Sequence, residues 1–134
     1  MNVRKVTSDP AKARNLLENA KSFIDVIRLV EKTANAPFLI NTEYDILHNI
    51  AGAILAQEGE KIIGKDHHKL LLQWIGKKYN LSPGTTHLLD ELRKIRNDIN
   101  YYGQKDKEVL EDYYNRNKEK IQEIRNTLLK ILQD

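Results

Sequence analysis

The stretch THLLDELRKIRNDINYYG, residues 86–103, decides the fold. Leu88, Leu92, Ile95, Ile99 and Tyr102 recur at three- and four-residue intervals, the period that lines one face of an α-helix. Charged and amide side chains occupy most of the remaining positions. Ser82-Pro83-Gly84 marks a loop before it, Thr85 or Thr86 can cap its start, and Gly103 is placed to end it.

The same grammar extends outward. Ser8-Asp9-Pro10 opens a first helix, since the N–H that proline lacks would be unpaired in a first turn anyway. Leu16, Ala20, Phe23, Ile27 and Val30 form its inward stripe, and Asn35-Ala36-Pro37 breaks it, leaving residues 33–40 as a loop. Asn41 or Thr42 caps a second helix with the stripe Tyr44, Leu47, Ala51, Ile54 and Leu55, ended by Gly59. Its small residues, Ala51, Gly52, Ala53 and Ala56, let a neighbour approach closely. Asp66 caps a third, with Leu70, Leu71, Trp74, Ile75 and Tyr79 inward. Asp106 opens a fifth, with Leu110, Tyr114, Ile121, Ile124, Leu128 and Ile131 inward and Asn117 interrupting the stripe. No strand alternation of useful length appears, and no internal repeat. The pattern predicts one all-α domain over residues 1–134, an up-and-down bundle of about five helices. Short connections make consecutive helices antiparallel.

Composition narrows the function classes. The 134 residues are 40% hydrophobic and 31% charged, which suits helices with one apolar stripe each. Without cysteine there is neither a disulfide nor a thiolate-bound zinc. No run approaches the ~18 apolar residues of a membrane helix, and no apolar leader follows Met1, so a cytoplasmic protein off the membrane is expected. A net charge of +3 is compatible with RNA without pointing to it.

The common catalytic signatures are missing: no phosphate-cradling glycine loop, no paired-histidine zinc motif, no nucleophile elbow. His67 and His68 are adjacent, about 100° apart on a helix, and cannot chelate one metal together. His48 and His87 sit alone. Neither a metal nor a cofactor is expected. The basic residues of the fourth helix lie near its C-terminal end, unlike a helix-turn-helix reader, which docks through N-terminal residues.

What stands out is the end of the opening stretch. Arg93, Arg96, Asn97 and Asn100 flank the apolar stripe, and Arg96 and Asn100, four apart, share a face. An arginine keeps its charge near neutrality and presents five donors, which suits a phosphate. On residue chemistry alone these groups equally suit a solvated helix face.

Arg96-Asn97 resembles the first half of the HEPN superfamily signature, an arginine and a polar residue followed four to six residues later by a histidine. Tyr44, His48, Ala51, Ala53, Leu55 and Gly59 resemble that superfamily's tyrosine- and alanine-rich second helix, and His68 resembles the histidine that opens its next helix. The resemblance spans residues 42–103. It implies a helical bundle, commonly a homodimer with the arginine motifs of two subunits facing one cleft. Many members are metal-independent ribonucleases, some paired with a nucleotidyltransferase antitoxin. Others have lost catalysis and bind nucleotides or act as scaffolds. The histidine of active members is thought to exchange a proton with the RNA 2′-hydroxyl or the leaving oxygen.

Here Tyr101 and Tyr102 occupy the histidine's window. A tyrosine, with a pKa near 10, is a weaker base at neutral pH. In a straight helix Tyr101 lies some 140° and Tyr102 some 120° from Arg96, on opposite sides. They converge on it only if the helix loosens near Gly103 or a second subunit completes the site. Three readings follow. In the first, an RNA-cleaving protein holds the scissile phosphate on Arg96, orients it with Asn97 and Asn100, and uses Tyr101 or Tyr102 as catalytic group, with Asp98 a further candidate base. The tyrosines could also accept a nucleotidyl group from an antitoxin partner. In the second, a non-catalytic module binds RNA or a nucleotide through Arg93, Arg96, Lys77 and Lys78. In the third, a structural or dimerisation domain pairs its arginines with Asp90, Glu91 or Asp98. The Lys- and Glu-rich outer face of residues 108–134 reads as solvated.

Overall fold

The computed structural model describes residues 3–102 and 106–133, the side chains at 101, 102 and 133 excepted. Its elements are β1 (Val3–Lys5), α1 (Pro10–Val30), α2 (Ala36–Glu58), β2 (Glu60–Ile62), α3 (His67–Lys78), α4 (Pro83–Asn97), a π-helical turn (Asp98–Tyr102) and α5 (Lys107–Gln133). The all-α bundle of five helices stands as expected.

α2 is the axis. It packs against α1, α3, α4 and α5, and residues on every side of it are buried, among them Leu39, Ile40, Ile46, Leu47, Ile50, Ala53 and Ile54. A helix apolar all round belongs in the middle of a fold. α1 and α2 differ by only two residues in length, so the hairpin they form brings the start of the chain back to the exit of α2. There β1 pairs antiparallel with β2, Val3 opposite Ile62 and Lys5 opposite Glu60. These two three-residue strands are too short for alternation to announce them. The returning chain also closes the end of α2: Asp9 N–H donates to Ala56 O at 2.9 Å and the Ser8 hydroxyl to Gln57 O at 2.8 Å. Ala56 O also accepts from Gly59 N–H at 3.2 Å, so the last turn of α2 is capped from both sides of the chain. Gly59 ends α2 at φ +72°, where a Cβ would stand 2.7 Å from Val6 O.

Several helix starts differ from the sequence expectation. α2 begins at Ala36, not after Asn41: Asn35 Oδ1 accepts from Phe38 N–H at 2.9 Å, and Pro37 falls in the first turn, where proline is tolerated. Most of the expected loop at residues 33–40 is therefore helix. Ser82, rather than Thr85 or Thr86, caps α4 by accepting from Thr85 N–H at 3.1 Å, again with proline next in line. Asp66 precedes α3 in a left-handed conformation, φ +61°, and its side chain caps nothing. Asp106 does open α5, accepting from Glu108 N–H at 2.8 Å.

α1 keeps most of the expected face: Ala20 and Ile27 are buried and Leu16 and Val30 half-buried, while Ile24 is buried in place of Phe23, which lies at the surface. α1 and α2 pack closely: Ala13 meets Ala53 and Ala56 of α2, and a Cβ on Gly52 would stand 3.2 Å from Leu16 Cδ1. On α4, Leu88, Leu89 and Leu92 are buried and Ile95 and Ile99 pack against the core. On α5, Leu110, Tyr113, Tyr114, Ile121, Ile124 and Leu128 are buried. Among the described residues no helix is long and apolar enough to cross a membrane.

One core pairing has no counterpart in the apolar pattern. Glu43 of α2 is wholly buried and accepts from Arg125 Nη1 of α5 at 3.1 Å. Burial pushes the Glu43 carboxyl up to about 7, against the opposing pull of Arg125.

Candidate functional site

Four elements meet beside the C-terminal end of α4. α2 supplies Tyr44, Asp45 and His48, α3 opens with His68, α4 supplies Arg93 and Arg96, and the π-helical turn follows. Tyr44 and His48, four apart on α2, share a face, and His68 is the second residue of α3.

The rings form a stack. The His48 and His68 centroids are 4.2 Å apart with planes inclined by 29°. The Tyr44 ring lies 5.9 Å from each. Arg96 Cζ is 5.1 Å from the Tyr44 centroid, within cation–π range. Tyr44 is buried to 1% exposure, and its hydroxyl lies 3.0 Å from His68 Nδ1. Burial pushes the Tyr44 hydroxyl up to about 12, despite the opposing fields of Arg96 and Arg93. It therefore keeps its proton, and according to the His68 tautomer it either donates to Nδ1, with the ring proton on Nε2, or accepts from Nδ1–H and leaves the Nε2 lone pair free.

Both imidazoles are held below the ordinary histidine value. Burial comes first for each. For His48, pushed down to about 4, His68 and Arg96 add to it. For the more exposed His68, Arg96 adds to it and the Asp45 carboxylate works against it. Burial raises the half-buried Asp45 carboxyl, with Arg96 and His68 opposing. At neutral pH the site thus holds two uncharged imidazoles, one protonated phenol and a fixed guanidinium.

Three polar atoms here are buried without a hydrogen-bond partner among the described residues: Arg96 Nε, His48 Nε2 and Asn41 Oδ1. Each such group costs on the order of 1–3 kcal/mol. With the π-helical turn beside them they make this a candidate site; the other such atoms, Glu43 Oε2, Tyr113 Oη and Tyr114 Oη, lie where α2 meets α5 and among the residues of α5.

The residues singled out in the sequence fall into place as follows. Arg96 is at the centre. Arg93 is close enough to act on Tyr44 and His68, but its guanidinium holds Asp90 Oδ1 at 2.9 Å through Nη2 and 3.3 Å through Nε. That is one of the pairings the structural reading expects. Asn100 is exposed and accepts from Asn41 Nδ2 at 3.0 Å, tying the π-helical turn to α2. Asn97 ends α4, half-buried. The backbone of Tyr101 and Tyr102 belongs to the π-helical turn, while their side chains, and Gly103 altogether, lie outside the described residues. The helix loosens at the π-helical turn Asp98–Tyr102, just before Gly103. Lys77 and Lys78 are not part of the cluster: they end α3, about 15 Å along the axis from His68 at 1.5 Å per residue. Lys78 pairs instead with Glu60 at 3.6 Å.

His48 and His68 lie too far from Arg96 in the chain for a local signature; the resemblance drew them in along with Tyr44, but only the structure shows their rings stacked on each other beside Tyr44 and Arg96. Among the described residues no group of three or more His, Asp or Glu side chains is arranged to hold a metal ion. No family model, curated protein or solved structure matches the chain.

Proposed function

We propose that this chain is an RNA-acting protein of HEPN type, in which Arg96 binds a phosphate and His68, oriented by Tyr44, moves the proton. The observation that carries this reading is the line Arg96–Tyr44–His68: a fixed cation on one side of a buried tyrosine whose hydroxyl holds an accessible imidazole 3.0 Å away. The motif assigns that proton transfer to a histidine near Arg96 in sequence, and here Tyr101 and Tyr102 stand in its place. In this reading His68 takes the role from another helix, and the two tyrosines, with Asn97 and Asn100, border the phosphate.

The chemistry balances without a metal. In the tautomer whose Nδ1–H donates to the Tyr44 oxygen, the Nε2 lone pair of His68 removes the proton of the ribose 2′-hydroxyl, and the 2′-oxygen forms a bond to phosphorus. The bond from phosphorus to the 5′-oxygen breaks, and the leaving oxygen is protonated from solvent. Arg96 holds the charge that builds on the phosphoryl oxygens. The products are a 2′,3′-cyclic phosphate and a 5′-hydroxyl. The resemblance adds a homodimer and, in a toxin-type setting, a nucleotidyltransferase partner, and the cysteine-free sequence fits a cytoplasmic location.

The second reading is RNA or nucleotide binding without cleavage. The depressed basicity of both histidines beside Arg96 favours it, because a weak base takes up a 2′-hydroxyl proton poorly.

The test is to incubate wild type, Arg96→Ala and His68→Ala with end-labelled RNA in EDTA. The catalytic reading expects fragments ending in cyclic phosphate from wild type and a loss of roughly 100-fold or more in each variant. Intact RNA throughout, with salt-sensitive binding that weakens in Arg96→Ala, would establish the second reading. Neither cleavage nor binding would refute both.

A further inference from the structure

His48 also lines a cavity of about 370 Å³, at the low end of the range for small-molecule sites. α1, α2, β2 and α3 enclose it. Leu16, Leu55, Ile62 and Leu71 are its apolar lining, with Gly52 at the wall beneath Leu16 Cδ1. Lys12, Lys61, His48 and His67 supply its polar lining, and no carboxylate lines it. Both lysines and His67 are exposed at the surface.

We propose that this cavity is a nucleobase subsite of the same RNA site, taking the base of a nucleotide whose phosphates lie between Arg96 and the lysines at the rim. The inference rests on the RNA reading given above and adds where the substrate's base is held. His48 joins the two places. It lines the cavity, and its ring is stacked at 4.2 Å on His68, the proton-transfer group. The Tyr44 ring neighbours both, 5.9 Å from the His48 ring and 5.1 Å from Arg96 Cζ. A base in the cavity and a phosphate at Arg96 therefore sit at neighbouring positions of one strand.

The lining suits this occupant. Single-stranded RNA is bound by stacking its bases on aromatic and imidazole rings and apolar walls, with cations along the backbone. His48, pushed down to about 4, is uncharged at neutral pH and offers a ring rather than a charge. Lys12 and Lys61 provide the cations, and the lack of a lining carboxylate leaves a bound phosphate nothing to repel it. A purely apolar occupant would leave the two lysines without purpose. A purely anionic one would leave four apolar side chains uncovered.

The full chain, isotope-labelled on its methyl groups, is titrated with adenosine, guanosine, cytidine and uridine 5′-monophosphates, and separately with ribose 5-phosphate and decanoate. The expected result is that at least one nucleotide shifts the Leu16, Leu55, Ile62 and Leu71 methyl resonances, and that ribose 5-phosphate leaves them unmoved. Gly52→Val, which adds bulk at the cavity wall, should weaken that binding at least 10-fold. Lys12→Ala/Lys61→Ala should weaken it several-fold and reduce its salt dependence. Circular dichroism shows whether each variant is folded. Because Gly52→Val can displace Leu16, the lysine variant, whose side chains are exposed, keeps the test decisive. Equal shifts from ribose 5-phosphate, tighter binding of decanoate, or unmoved methyls with every nucleotide would each overturn the subsite. The RNA reading fails separately: nucleotides seated in the cavity while Arg96→Ala and His68→Ala leave RNA binding and cleavage unchanged would retain the pocket and reject the ribonuclease site.

Discussion

Glu43→Gln tests how the buried charge behind the site is held. Glu43 follows Thr42 and precedes Tyr44 on α2, and its carboxyl meets Arg125, with Glu31 and Tyr114 close enough to shift it. Burial lifts that carboxyl from 4.5 to about 7. At 1.36 kcal/mol per pH unit, this amounts to about 3 kcal/mol. The sign follows from the folded state binding the proton more tightly than the unfolded chain. Glu43 contributes its full stability below pH 4.5 and loses it as the pH rises through 7. Glutamine copies the protonated acid in shape and keeps an oxygen for Arg125, so the variant should lack this loss. His48 works in the opposite sense: its value near 4 means stability lost as the pH falls below about 6.5. The two slopes cancel in part in the wild type between pH 4.5 and 6.5. The difference between wild type and variant, which share His48, isolates Glu43. Urea denaturation at unit steps from pH 4.5 to 8.5 should show the variant gaining on wild type by about 3 kcal/mol across the range, most of it between pH 5 and 7. Parallel stability curves would falsify the assignment of a raised carboxyl to Glu43.

Three further outcomes are expected. In histidine-resolved NMR titrations, Arg96→Gln should raise the His68 pKa by removing a cation, and Asp45→Asn should lower it further; no movement in either variant would separate these residues from the imidazole. Gly59→Ala should destabilise the fold by roughly 1–3 kcal/mol in urea, because its φ of +72° disfavours a side chain and the Cβ meets Val6 O; an unchanged midpoint would mean that β1 is not held against α2. Solution scattering at micromolar concentration should give a dimer of the 15.6 kDa chain, as the proposed two-fold cleft requires, and a monomer would remove that part of the functional reading.

Much of the architecture could be read from spacing. Helix count, the apolar stripes of α4 and α5, and the stop at Gly59 follow from local periodicity and glycine's backbone freedom. The errors were local as well, and each has a competing local cause. Proline after a capping residue reads either as a break or as a first turn, and at Asn35-Ala36-Pro37 and Ser82-Pro83 the first-turn reading is the correct one. On α1 the stripe holds at Ala20 and Ile27, and periodicity alone could not say that Ile24 rather than the adjacent Phe23 would be the buried one. The β1–β2 pair depends on two equal-length helices returning the chain to its start, which no three-residue window contains.

The site divides along the same line. The sequence by itself determined that a fixed positive charge, Arg96, would stand at the end of an amphipathic helix amid amides and tyrosines, because residue type and period are local properties. Only the tertiary structure decided what that charge faces. α2 brings the Tyr44 ring under Arg96, α3 lays His68 on the Tyr44 hydroxyl, and burial, which exists only once the helices pack, holds both histidines uncharged and Tyr44 protonated. Those pairings join residues 24 to 52 positions apart, beyond the reach of any helical repeat, and they arise from how the helices stack around α2.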